Sequence, residues 1–200
     1  MDVDQIWRFE LVRGFSNDVH RGACLLTAIS WLVDGKRNDR PATACRILAQ
    51  CGRQVNDILV DDDRQRLKIF ICRLAGSKDC EAKKRRTRIF VDVLLCGLLG
   101  TDGLSPRERL SIRLGLASAR FWIRLGPLAQ SAARAIEIFE KHYTRAQDYQ
   151  RARLVDLICK AFDAALNAGK QGEIDPVQAA DAMTAYERMT GIRSASAQFS

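Results

Sequence analysis

Residues 39–79 read DRPATACRILAQCGRQVNDILVDDDRQRLKIFICRLAGSKD, and this stretch decides the fold. Its apolar residues Ala44, Ile47, Leu48, Cys51, Val55, Ile58 and Leu59 recur every three or four positions, which is helical periodicity and not the alternation of a strand. The spacing predicts a first helix opening at Pro41, where a missing N–H costs nothing, with Asp39 or Arg40 at the cap. A second helix is expected from Asp61 or Asp62, because Asp62 and Gln65 stand at capping-box spacing. Leu67, Phe70, Ile71 and Leu74 form its apolar face, and Gly76 is placed to end it in a left-handed turn. The pair makes a helical hairpin at about 41–75, bent at an acidic elbow and expected to be the rigid centre of the molecule.

Outward from the hairpin, helix formers dominate and strand-like alternation is absent, so the class is all-α, a single bundle of seven to nine helices. Two hundred residues, 47% of them hydrophobic, suffice for one domain with its own core. Seven cysteines at irregular spacing, with no C-x-x-C pair, read as reduced thiols in a cytoplasmic protein and not as a disulfide framework. The opening residues carry no signal peptide. No apolar run approaches the roughly 20 residues of a membrane helix, so no membrane is expected among the partners. The formal charge of +8 attracts anions in general, and 24 arginines against 8 lysines add planar donors suited to phosphate or carboxylate.

Before the hairpin, Val3, Ile6, Trp7 and Leu11 outline a short helix over 3–12 that covers the core. Asn17 or Asp18 then caps a helix carrying Ala23, Leu25, Leu26, Ala28, Ile29, Leu32 and Val33. After it, Ile89, Phe90, Val91, Val93, Leu94, Leu95 and Leu98 make a helix apolar on nearly every side, expected in the middle of the bundle. Ser105-Pro106 restarts a helix whose face reads Leu110, Leu114, Ala117, Phe121 and Leu125, with Trp122 beside it. Residues 128–168 are helical throughout, with a joint expected near Thr144 to Asp148. The bundle is thus expected over 1–168, followed by a linker at 169–175, a C-terminal helix at 176–191 and a polar tail at 192–200.

Asp39-x-Pro41, Cys45, Asn56-Asp57, the acidic residue Asp63 before Arg66-Leu67, and Leu74-x-Gly76 together resemble a group of uncharacterised bacterial helical proteins. The likeness runs over roughly residues 20–130. It implies no activity and transfers no functional residue.

Three places invite chemistry. Asp57, Asp61, Asp62 and Asp63 crowd the elbow, and clustered carboxylates suit a hard cation such as Mg²⁺. The aspartate-rich motif of prenyl-transferring enzymes needs a carboxylate where DDDRQ has glutamine, so caps and salt bridges are the favoured reading. Asp57, near a helix C-terminus, opposes the macrodipole and calls for a cation from Arg53, Arg64 or Arg66. His20 and Cys24, four apart, could share a zinc ion, but no second pair completes four ligands. Finally, Lys83, Lys84, Arg85, Arg86 and Arg88 form a basic run, and Arg107, Arg109, Arg113, Arg120 and Arg124 follow on a later helix. If adjacent, the two would make a positive strip for a phosphate backbone. Leu104 to Arg109 is similar to the opening of a LuxR-type helix-turn-helix, without the turn and recognition helix that should follow.

Phosphate loops and catalytic constellations are missing from the sequence. The expected function is a non-enzymatic intracellular interaction module that needs no cofactor and acts on a protein partner. A nucleic-acid-associated protein using 83–88 and 107–124 is the alternative, and a metal-dependent enzyme at 57–63 a second one. Self-association through a second copy remains compatible with both. The residues given structural roles are Pro41, Asp57, Asp62, Gln65 and Gly76.

Overall fold

A computed structural model describes residues 10–14, 22–34, 38–78 and 80–169. The expectations placed on Val3, Ile6, Trp7, Asn17, Asp18, His20 and everything beyond Gly169 lie outside these residues. In chain order the helices are α1 (Leu25–Asp34), α2 (Arg46–Ile58), α3 (Asp61–Gln65), a 3-10 turn (Arg66–Phe70), α4 (Ile71–Ala75), α5 (Lys83–Leu99), α6 (Pro106–Leu125), α7 (Leu128–Tyr143) and α8 (Asp148–Asn167). The fold is all-α, and the β-type pairing among the described residues is one isolated bridge between Leu11 and Ala23.

The helix that is apolar on every side takes the centre. Phe90, Val91, Leu94, Leu95 and Leu98 of α5 have no exposed surface, and α5 packs against α2, α6, α7 and α8. Burial of each such side chain is worth about 1.5–3 kcal/mol, which is why this helix organises the others. Gly115 of α6 lets α7 come close, since a Cβ there would stand 2.2 Å from Ile138 Cδ1. Ser105 caps α6: its hydroxyl accepts the Glu108 N–H while the Glu108 carboxylate accepts the Ser105 N–H at 2.8 Å. Gly126, at φ +116°, ends the helix in the left-handed region that glycine alone enters freely. The long helical stretch after it divides at Thr144–Gln147 into α7 and α8, as its spacing suggests.

The hairpin is present, but its ends differ from expectation. Residues 41–44 form a turn, and α2 begins at Arg46 with Cys45 as its cap and no side-chain capping bond. The cause lies at the hairpin's far end. Ser77 Oγ accepts the Cys45 N–H at 2.8 Å and the Lys78 N–H donates to Thr43 O at 2.8 Å, so the segment after buried Pro41 is held out of helical geometry. Asp62 and Gln65 make no capping box. Val60 is the cap of α3, and the Gln65 carboxamide turns to the Leu11 backbone, accepting its N–H and donating to its carbonyl, both at 2.9 Å. The second arm is broken by the 3-10 turn, and Gly76 ends it at φ −92° without a left-handed step. The helix before the hairpin is also shorter than its apolar residues suggest. Ala23 is tied to the extended chain at 10–12 through Val12 N–H to Ala23 O and Ala23 N–H to Glu10 O, each 3.1 Å, so α1 starts only at Leu25.

Candidate functional site

The elbow is a structural joint whose carboxylates diverge. Arg64, 4% exposed, folds back over the end of α2, with Nε donating to Asn56 O at 2.7 Å, Nη2 to Leu59 O at 2.6 Å and Nη1 to Asp61 Oδ1 at 2.6 Å. It thereby satisfies two carbonyls that a helix C-terminus leaves open. Asp57 has no arginine partner among the described residues. Its Oδ1 accepts the Gly14 N–H at 3.0 Å and a proton of the Asn56 carboxamide at 3.4 Å, so backbone and amide donors fill the role expected of a cation. Arg53 instead pairs with Asp39 and Arg66 with Asp156. Asp62 is exposed and Asp63 faces Tyr143. Among the described residues no group of three or more His, Cys, Asp or Glu side chains stands where it could hold a metal ion.

Tyr143 closes this joint from α7, donating to Asp63 Oδ2 at 2.6 Å and accepting the Val60 N–H at 3.1 Å. Burial first, then the Asp63 carboxylate, push its phenol from an ordinary 10 up to about 12. The folded state thus favours the neutral phenol. That contribution is whole below pH 10 and is lost as pH rises from 10 through about 12. Urea unfolding across alkaline pH should show Tyr143→Phe less stable by about 1 kcal/mol at neutral pH and with a flatter alkaline decline. An unchanged decline would assign the loss to other groups.

The second region is the outer side of α6, and here the sequence reading is inverted. Leu110, Leu114, Ala117, Phe121 and Leu125 were expected to face the core; all five face outward. Leu114 is 62% exposed, Leu125 61%, Leu110 58% and Phe121 55%, with Trp122 at 43% on the border. The buried stripe is the opposite one, Ile112, Gly115, Leu116, Ala119 and Ile123. Gly115 and Ala119 admit the close approach of neighbouring helices there, and Ile112, Leu116 and Ile123 fill the space around them. Phe121 and Trp122 meet edge to face with centroids 5.5 Å apart. Arg113, Arg120 and Arg124, all exposed, follow one edge of this stripe at helical spacing.

The basic residues are sorted into different places. Arg86 is 4% exposed and donates to Ser77 O, a structural role that removes it from any nucleic-acid surface. Lys83 lies in a separate hollow with Arg53 and Arg46. Lys84, Arg85 and Arg88 of α5 do meet Arg120 and Arg124 of α6 around a hollow of about 360 Å³. There Lys84 Nζ reaches Arg124 O at 3.5 Å, and Asp92 pairs with both Arg120 (2.7 Å) and Arg88 (3.6 Å). Arg107 stands seventeen positions before Arg124, roughly 25 Å along the helix, and does not reach this hollow; Arg113, about 10 Å before Arg120 on the same edge, is outside its lining.

Thiol chemistry finds little footing. Burial pushes the thiols of Cys51 and Cys72 upward and that of Cys159 to about 12, opposite to what activates a nucleophile. All seven cysteines carry free thiols. Burial also lowers His142, against the pull of Glu108. Comparison with protein-family models, with curated proteins and with solved structures finds no match to this chain. No helix among the described residues is long and apolar enough to cross a membrane. Sequence spacing does not single out Tyr143, because its contacts with Asp63 and Val60 span 80 residues of chain or more; Arg64 lies within eight residues of its partners, but its turn back over the end of α2 leaves no signature in the spacing.

Proposed function

We propose that this chain is a non-enzymatic helical interaction module whose docking face is the outer stripe of α6, and that the occupant is an amphipathic helix carrying carboxylates. The supporting observation is the stripe itself: four large apolar side chains more than half exposed on one helix, with Trp122 beside them. Together they make a contiguous exposed apolar patch rimmed by charge, the kind that often marks a partner site on a monomer. The arginine edge selects the partner. A helix laid along the stripe buries its own apolar face and meets Arg113 and Arg124 with Asp or Glu, and competes with Asp92 for Arg120. A second copy of α6 laid antiparallel there would set arginines against arginines, which counts against that self-pairing.

A labelled peptide with leucines at helical spacing and glutamates placed to meet the three arginines is the probe. It should bind the full chain saturably and lose binding to a Leu114→Asp, Phe121→Asp variant that keeps the parent's circular dichroism and melting temperature. No binding to the parent, or equal binding to the variant, overturns the reading. So does self-association in sedimentation that the same substitutions abolish, since the occupant is then a second copy.

A nucleic-acid reading draws support from the meeting of Lys84, Arg85 and Arg88 with Arg120 and Arg124. Against it, Asp92 neutralises part of that charge and Arg86 is unavailable to solvent. Oligonucleotide binding tighter than the peptide's, falling steeply with salt, would decide for it.

A further inference from the structure

The hollow at the start of α2 is a place where cations gather without carboxylates to match them. Five converge there: Arg40 from the lead-in, Arg46 and Arg53 from α2, and Lys78 and Lys83 from the far end of the hairpin and the start of α5. The one acid among them, Asp39, is already engaged, 3.2 Å from Arg53 Nη2 and 3.9 Å from Arg40 Nε. Arg46, Lys78 and Lys83 form no ion pair with any described carboxylate. Arg53 Nε is buried and has no acceptor.

We infer that this hollow is a binding site for a compact, multiply charged anion of the phosphate class, of the size of a nucleotide or a sugar phosphate. Its volume of about 630 Å³ falls among those of small-molecule sites, roughly 300–1,000 Å³. The wall between the cations is made of Pro41, Ala44 and Ala49, short side chains that leave room beside the charges. The charges also come from two chain segments, 40–53 and 78–83, that the hairpin brings to one spot. Convergence on a point suits a small oligoanion, whereas a nucleic-acid backbone needs cations spaced along a track. Arginine provides paired donors to phosphate oxygens and lysine a mobile point charge, so the set fits terminal and bridging phosphates together. The first turn of α2 holds no acidic residue that would repel such a group. This site is remote in sequence from the α6 stripe and stands or falls separately from it.

The experiment uses the full chain at fixed ionic strength, titrated by calorimetry with pyrophosphate and with ATP, and with sulfate as the control ion. Saturable binding of one pyrophosphate or ATP per chain, with a raised melting temperature, is expected. An Arg46→Ala, Lys78→Ala variant should bind about tenfold more weakly or worse, as the loss of charge-assisted hydrogen bonds implies. Arg134→Ala, on α7 and away from the hollow, should bind like the parent. Absence of binding, binding of sulfate equal to pyrophosphate, or equal weakening by Arg134→Ala overturns the assignment. A single-stranded oligonucleotide that displaces ATP at lower concentration than pyrophosphate does also overturns it, in favour of a polymer.

Discussion

Replacing Phe162 with alanine is expected to remove about 4 kcal/mol of folding free energy. Phe162 has no exposed surface and stands where three elements meet, its ring centroid 5.4 Å from Phe70 of the hairpin and 5.1 Å from Phe90 of α5. Truncation removes the transfer energy of a whole aromatic side chain, leaves a cavity and breaks two ring contacts. The same change at Phe121, 55% exposed on α6, should cost no more than about 0.5 kcal/mol. Denaturant unfolding of the two variants side by side reads both values. The contrast also tests which way α6 is turned. If Phe121→Ala proves the costlier, the outward stripe is in fact a packed one and the docking proposal loses its surface.

Arg64→Ala should destabilise by about 3 kcal/mol. The loss of charge is the smaller part, because Asp61 is 91% exposed and an exposed ion pair contributes about 0–1 kcal/mol. The larger part is the exposure of the Asn56 and Leu59 carbonyls, which lose the donors that ended α2. Lysine should not rescue, since one ammonium cannot reproduce a guanidinium that donates in three directions. Asp61→Asn should be nearly silent. Urea midpoints for Arg64→Ala, Arg64→Lys and Asp61→Asn separate the carbonyl role from the ion pair: equal effects of Arg64→Ala and Asp61→Asn would show that the pair is what matters.

Helix type, the central place of α5, the Ser105-Pro106 start and the joint after Tyr143 were legible from periodicity and local turn chemistry. Those features are decided within one or two turns of chain. The direction in which α6 faces was not, because it carries two apolar stripes and the buried one contains Gly115 and Ala119. Leucine-sized side chains occur in both stripes, so residue size alone does not tell which one packs inward. The start of α2 misled for a related reason: proline and aspartate propose a helix at 41, and contacts from Ser77 and Lys78 override them. The cationic hollow is invisible to spacing because its two halves lie some thirty positions apart. Of the basic run, Arg86 stands one turn before Phe90 on the buried side while Lys84, two positions earlier, faces the opposite way to solvent.

Two kinds of fastening hold the hairpin to its neighbours, and they answer differently to salt. On one side the carboxamides of Asn56 and Gln65 grip the backbone at Leu11 and Val12. On the other, Arg66 and Arg73 reach across to Asp156 and Asp163 of α8. The amide clasp is neutral and indifferent to ionic strength, whereas the half-exposed ion pairs of the α8 seam are screened by it. Added salt therefore loosens one side alone, by no more than about 1 kcal/mol a pair, and the buried rings beneath keep the last helix seated.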